Sequence, residues 1–535
     1  MVLQTLLRGL TPRSRLAGPA PRAGEERLMI KRAASVAIAM LLIATFSAPA
    51  PVAATATTRT VCASGCDYTT IQSAIDAASA GDTIQVQAGT YAEQVVISKN
   101  ITVTGAGEEV TIIQSPGTLL PIACLSDLDA DAVTIVEICD ATATIRGFTI
   151  DGNVATDGAL TGMPSVPGDF FGLAVHGAAS ATMSDVTVTN VHDADSAEWG
   201  HQKGDAIWVA PASSLNASNI HVLRYQKSGI VAYGSASDAA NLILTDSLVE
   251  GDQLPGMNDR IAMNGITIAR ANATLHGVTS RGNMCDVANC SGSPESYNAG
   301  GLLVYDWDPS DPTVTVSVTE SIFSENDIGI YNDVTNPDSI IQYTSNDVTD
   351  NRWFGINLDE GHAEFSYNDI TDNGINGIVA IQGLYGIAPV EATFTRNVIT
   401  GNGVTGDTTA GAVRLVDATS SEHAQATSLT FVNNAIFANS GVAIANASVA
   451  GSIVGTGTWW GEAGRPSDGS TFTGFTADNL LTPGALTIDT SDLIYGFSRG
   501  ANTITWTPEP ERPHRSRRPR SYRHRDDGSQ LRVSQ

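Results

Sequence analysis

Asn346-Asp-Val-Thr-Asp-Asn351, Asn368-Asp-Ile-Thr-Asp-Asn373 and Asn397-Val-Ile-Thr-Gly-Asn402 repeat one six-residue pattern, polar-x-apolar-x-x-Asn, at intervals of 22 and 29 residues. Related copies begin at Asp185, Ser321 and Asn434, and the third residue is apolar in all but the Asp185 copy. A second element, Gly-apolar-x-apolar, follows several copies, as in Gly355-Ile-Asn-Leu, Gly377-Ile-Val-Ala and Gly441-Val-Ala-Ile. Short alternating segments bounded by Asn and Gly at this period read as one rung of a solenoid per repeat. No 3.6-residue apolar stripe runs through these windows, which excludes a helical solenoid, and the leucine-rich pattern Leu-x-x-Leu-x-Leu is absent. The expected fold is therefore all-β, a single-stranded parallel β-helix in which Asn side chains at equivalent turns stack and satisfy one another's amides.

Composition agrees. Charged residues make up 16% of the 535 residues, against about 25% in ordinary globular chains. A solenoid surfaced by Thr, Ser and Asn turns accounts for that shortfall. The net charge of −27 disfavours nucleic acid as a partner, because phosphate binding depends on Lys and Arg displacing counterions.

The two chain ends differ from the body. Residues 1–56 comprise an upstream segment and a secretory signal: Lys31 and Arg32, then mostly apolar residues from Ala33 to Phe46, then small residues through Ala56. Met29 is the candidate true start. The apolar run is too short to cross a bilayer, so no membrane span is expected and the protein reads as secreted or held at the cell surface. Residues 508–535 carry eight Arg and read as a disordered tail, residues 483–507 as a β extension and residues 57–482 as the solenoid. Between the ends, residues 57–507 hold 14 Lys and Arg against 50 Asp and Glu, a net charge of −36.

An exported chain makes its six cysteines disulfide candidates, and they fall into three sequence-local pairs: Cys62 with Cys66, Cys124 with Cys139, and Cys285 with Cys290. No Cys/His set has zinc-ligand spacing.

The segment Cys62-Ala-Ser-Gly-Cys-Asp-Tyr-Thr-Thr-Ile-Gln-Ser-Ala-Ile-Asp-Ala-Ala, followed by Gly81-Asp-Thr-Ile-Gln-Val and Ala88-Gly-Thr-Tyr-Ala-Glu-Gln-Val, resembles the start of right-handed parallel β-helix proteins of the pectin lyase-like superfamily. That resemblance implies a capping helix that includes Thr70 to Ile75, and Thr458-Trp459-Trp460-Gly461 resembles the closing motif of such solenoids. It spans roughly residues 60–480 and is specific for fold, not activity. The stretch from Gly89 is similar to the first block of pectin methylesterases, but the later blocks that carry that chemistry are missing. Polygalacturonase-like Asn-Thr-Asp and Gly-His-Gly and the pectate lyase signatures are also absent. Gly204-Asp-Ala-Ile-Trp bears only a weak likeness to a paired-Asp strand.

Geometry supplies candidate site residues where motifs do not. Period-two alternation sends the second and fourth residues after each Gly outward. Rung by rung these include His176, Trp208, Tyr233, Tyr305, Tyr331 with Asp333, Asn357 with Asp359, and Arg414. Aromatic early rungs and polar later ones suit a saccharide groove, with Trp208, Tyr233, Tyr305, Tyr331, Asn357 and Arg414 binding substrate. Asp333 and Asp359, expected at equivalent positions about 4.8 Å apart, are the candidate acid and base, or else jointly hold a Ca²⁺ ion. Arg352, Lys203 and His201 complete the candidate catalytic set; the latter two sit in the interrupted coil from Asp193 to Asp205. Asp127, Asp129 and Asp131 resemble the start of a calcium loop, but Ala132 stands where that loop requires Gly.

Two functions remain open. One is a secreted enzyme that binds and cleaves polysaccharide as a lyase or a hydrolase. The other is a non-catalytic β-helix for carbohydrate binding or surface attachment. A monomer is expected, and scattered His with only eight Met disfavour copper handling.

Overall fold

The computed structural model describes residues 56–121, 131–153, 168–192, 203–251, 263–285, 299–382, 388–404, 410–417, 427–440, 442–446, 451–456, 458 and 475–478. The signal segment, the candidate start at Met29, the Arg-rich tail, Cys124, Cys290, Asp127, Asp129, His201 and Trp459 to Gly461 lie outside these residues.

The chain is an all-β, right-handed parallel β-helix with an N-terminal capping helix. A full rung contributes three strands, as in Ile328–Val334, Ile340–Thr344 and Asp347–Thr349. Each pairs in parallel with its counterpart one rung on, so three sheets run the length of the solenoid. Ile330, Ile356, Ile378 and Val413 line up in the first sheet. Tyr343, Phe365, Phe394 and Phe431 line up in the second, and Val348, Ile370, Ile399 and Ile436 in the third. All twelve side chains belong to one buried core. The four aromatics of the second sheet stack nearly parallel at centroid spacings of 4.6, 4.8 and 4.9 Å, which is the distance between hydrogen-bonded strands.

The expected Asn stack exists, and there are two. Asn283, Asn326, Asn351, Asn373, Asn402 and Asn439 form one ladder, each Nδ2 donating to the next Oδ1 at 2.8 to 3.2 Å. Asn346, Asn368, Asn397 and Asn434, from the first position of the six-residue pattern, form the other at 2.9 to 3.0 Å. The rungs that carry these ladders turn on either side of their short third strand, and residues before the Asn, such as Ser345, Asp350, Tyr367 and Asp372, have φ of 55 to 58°. That left-handed conformation is unfavourable for residues other than Gly, Asn and Asp, and so for Ser345 and Tyr367. The ladder offsets this cost by satisfying the backbone amides freed at the bend, because each Oδ1 also accepts the preceding Asn's backbone N–H at 2.8 to 3.2 Å.

The expected cap forms as the Ile71–Ala77 helix, which lays Ile71, Ala74 and Ile75 over the first coil. Thr70 caps its N-terminus, and the Glu93 carboxylate of the following coil accepts from the backbone N–H of Ile71 and Gln72 at 2.8 and 3.0 Å. Lys99 Nζ donates to the carbonyls of Ile75, Asp76 and Ala78 at the other end. Both ends of a helix too short to be stable alone are thus closed by charges matched to its dipole. Cys62 and Cys66 are joined by a disulfide. Cys139 and Cys285 are also disulfide-bonded, and the partners expected for them lie outside the described residues.

Candidate functional site

The first sheet buries side chains on both faces. Ile330, Ile356 and Ile378 point into the core, whereas Tyr331 and Val379 join Leu303, Ile328, Phe354, Ile381 and Val416 in a separate apolar cluster outside it. The alternation expected from sequence holds along these rungs. Its outward residues fall into rows running along the solenoid. One row reads Ala174, Trp208, Val231, Thr267, Leu303, Tyr331, Asn357, Val379, Arg414. The parallel row two residues later reads Tyr233, Ala269, Tyr305, Asp333, Glu360.

Between these rows lies a groove of about 580 Å³. Aromatic rings form a continuous run along it. Trp208 lies 5.1 Å from Phe171 and 5.2 Å from Tyr233, and Trp307 meets Tyr233 and Tyr305 edge-on at 5.5 and 4.7 Å. Arg270 lies over the Trp307 ring at 4.0 Å, and its Nε contacts Asp311 Oδ2 at 2.6 Å, the same oxygen that accepts from the Trp307 backbone N–H. Trp307, 40% exposed, is therefore a fixed wall of the groove.

Polar groups occupy both ends. At one end Asp205 and Lys227 face each other in near-complete burial. Burial pushes the Asp205 carboxyl up to about 7, against the opposing pull of Lys227 and a hydrogen bond from Ser228. Burial likewise lowers Lys227, against the attraction of Asp205. At the other end, burial raises Asp333 well above the usual carboxylate range, and the charges of Asp359, Glu360 and Asp306 raise it further. Buried polar atoms without a hydrogen-bond partner line the floor: Asp205 Oδ1, Trp208 Nε1, Thr267 Oγ1 and Asp333 Oδ1. Groups left this way in a native structure await a ligand or water.

The structure revises several candidates. Asp333 and Asp359 are not equivalent. A register shift follows Asn332, so Asp333 pairs with Glu360 and Asp359 becomes the extra residue of a bulge. Asp359, 1% exposed, instead accepts a hydrogen bond from the Tyr331 hydroxyl. Arg352 does not line the groove: its Nη2 pairs with Asp327 at 2.6 Å and donates to the Cys285 carbonyl at 2.8 Å. Asn357 and Arg414 continue the first row past the groove rather than lining it, and Lys203 also lies outside the lining. Trp208, Tyr233, Tyr305, Tyr331 and Asp333 do line it together, although Tyr331 is only 2% exposed. Among the described residues no group of three or more His, Cys, Asp and Glu is placed to hold a metal ion.

Sequence reasoning missed Trp307 and Asp306 because both follow the last alternating residue of their strand. Asp205 was visible only within the Gly204-Asp-Ala-Ile-Trp stretch, one residue before the position that Gly occupies in other rungs. The Asp306-Trp307 step directly after Tyr305 again sets an acid beside an aromatic, as Asp205-Ala-Ile-Trp does, and was the available signal for Trp307.

No family model matches the chain, and no curated protein matches it by sequence. Solved structures do. A double mutant of the periplasmic alginate epimerase AlgG is similar at 11% identity and a TM-score of 0.41, over 71% of this chain and 77% of that one. The Azotobacter vinelandii mannuronan C-5 epimerase AlgE4 A-module shows 14% identity and a TM-score of 0.36 over 76% and 95%. The catalytic unit of a thermostable α-1,3-glucanase from Streptomyces thermodiastaticus shows 13% identity and a TM-score of 0.40 over 72% and 65%. The likeness is one of architecture alone, the right-handed parallel β-helix.

Proposed function

We propose that the groove binds a polysaccharide chain and hydrolyses it, with Asp333 as the proton donor. The observation that carries this reading is the juxtaposition, in one groove, of an aromatic run and a carboxyl whose burial and acidic neighbours favour its protonated form. Flat aromatic faces suit the apolar faces of sugar rings, and the unpartnered polar atoms of the floor suit hydroxyl groups. A carboxyl that keeps its proton can deliver it to a departing glycosidic oxygen. Glu360 stands opposite Asp333 on the next rung, where paired strands lie about 4.8 Å apart, so the two side chains can serve as a carboxyl pair of the kind retaining glycosidases use. It is the partner proposed to act on the anomeric carbon. Asp359 accepts from the Tyr331 hydroxyl and so fixes that ring.

A second reading rests on Lys227. Burial favours its neutral amine, and a neutral amine facing a groove can abstract a proton, the first step of β-elimination from a uronate. Incubation with a panel of polysaccharides separates the readings. New reducing ends without a rise in ultraviolet absorbance support hydrolysis. A rise in absorbance from unsaturated uronates supports elimination, and binding without either signal leaves a non-catalytic carbohydrate-binding protein. We also propose that the protein is exported, a reading supported by the disulfides and the acidic, Thr- and Asn-rich surface.

A further inference from the structure

The outward face of the first sheet is open along part of its length. Trp208, Val231, Thr267, Leu303 and Tyr331 mark five successive rungs, and the partly exposed side chains Trp208, Tyr233, Tyr305 and Asp333 stand on them. Past Asp333 the face is covered. The outward residues of the next two rungs, Phe354, Asn357, Glu360, Val379 and Ile381, are buried, none more than 2% exposed. Phe354, Val379 and Ile381 belong there to the apolar cluster outside the core, and the Asp359 carboxylate is engaged with the Tyr331 hydroxyl. The same holds before Trp208. Phe171, Ala174 and His176 on the preceding rung are buried, as is Glu137 one rung earlier, and Glu137 and His176 are hydrogen-bonded to each other at 3.0 Å.

Both ends of the open stretch are therefore shut along the sheet. Four steps between five rungs span about 19 Å at about 4.8 Å each, room for about four sugar rings at close to one ring per rung. The volume of about 580 Å³ falls within the range of small-ligand clefts. A polymer running through the site would need the floor to continue past Asp333 and past Trp208, where the outward positions are filled by buried side chains. Asp333 stands on the last open rung, and the rings of Trp208, Tyr233, Tyr305 and Trp307 lie to one side of it.

Resting on the saccharide reading of this groove, we infer that it takes chain ends and short oligosaccharides rather than the middle of a polymer, with the terminal unit at Asp333 and about three further units along the rings. Hydrolysis then releases one unit at a time. The terminal glycosidic C–O bond breaks, its oxygen takes the Asp333 proton, and water adds its hydroxyl to the anomeric carbon and returns its remaining proton to Asp333. A longer chain turns out to solvent beyond Trp208, so length past about four units adds no contact with the floor.

The test titrates the full chain with oligomers of glucose, mannose, N-acetylglucosamine and galacturonate, two to eight units long, and follows product release from the matching polymers. Each unit up to the fourth is expected to tighten binding about three- to tenfold, the gain of one stacked ring, and units five to eight to change it by less than about twofold. Digestion of a polymer is expected to yield the single unit from the first time points, with little loss of viscosity. Affinity that keeps rising from four to eight units, or a rapid fall in viscosity with products of mixed length, overturns the chain-end inference and leaves the groove as a saccharide site. Failure of every oligomer to bind overturns the saccharide reading itself.

Discussion

Asp333 is the residue on which the proposed chemistry turns, and its environment is assembled from three separate places in the chain. Its own strand sets it beside Tyr305; the bulge after Leu358 brings Glu360 opposite and turns Asp359 toward Tyr331; the turn after Tyr305 supplies Asp306. Replacing Asp333 with Asn keeps the shape and removes the proton. The expected result is a fall in kcat of about 10²- to 10⁴-fold, the usual contribution of a general acid, with KM changed little. Steady-state kinetics on the active polysaccharide checks this, and a purely structural role would instead lower the melting temperature. Stability carries its own signature of buried acids. Asp205 and Asp327 are both raised to about 7 by burial, and burial also raises Asp333 well above the usual carboxylate range. Between about pH 4 and 7 the folded protein therefore holds protons that the unfolded chain has released, so stability falls as pH rises through that window. Asp67 and Asp82, lowered mainly by backbone hydrogen bonds, lose their contribution only below about pH 4. The melting temperature is thus expected to be higher at pH 5 than at pH 8, as thermal unfolding followed by circular dichroism would show; the reverse order would contradict the buried state of these carboxyls.

At the scale of elements, the rung is held by two Asn ladders and one aromatic stack. Asn373 shows how much depends on one side chain: its Oδ1 accepts from the Asn351 backbone and amide, and its Nδ2 donates to Asn402 and to the Val348 carbonyl. Asn373→Ala leaves those buried groups unpaired and is expected to cost about 2 to 3 kcal/mol or more. Phe394→Ala, which empties the middle of the stack between Phe365 and Phe431, is expected to cost about 3 to 5 kcal/mol. Chemical denaturation measures both. The ladders were legible in sequence because Asn recurs at fixed spacing, and the core was legible because alternation is regular. The Asn346 ladder was less legible than the other, because the first position of the pattern is Asp at 185 and Ser at 321 and is Asn only from 346 onward. The misplacement of Asp359 has a physical cause of another kind. A bulge adds one residue and so shifts the alternation beyond it; in Leu358-Asp359-Glu360 its trace is the second of two successive acids, standing where an inward residue was due. Arg352 read as a site residue because it is close in sequence to the acids, but it follows the corner Asn351, and the chain there faces Asp327 and Cys285 instead.

Over the whole molecule, the solenoid converts a low-charge sequence into a long surface of Thr, Ser and Asn, and concentrates its unusual residues on one sheet. Aromatic outward residues gather on the rungs from Asp205 to Tyr305 and acids on those from Ile328 to Glu360, so the groove's two characters follow the order of the chain. Cleavage of a signal near residue 56 is expected, and N-terminal sequencing of the mature protein would give a first residue close to Thr57. The most direct measurement of the central claim is binding of saccharide in the aromatic groove. Titration of the active oligosaccharide into the wild-type protein and into Trp208→Ala and Tyr233→Ala, each first shown to be folded, is expected to give saturable binding that weakens by about 1 to 3 kcal/mol on loss of either ring. Unchanged affinity in both variants would place the saccharide elsewhere and contradict the account.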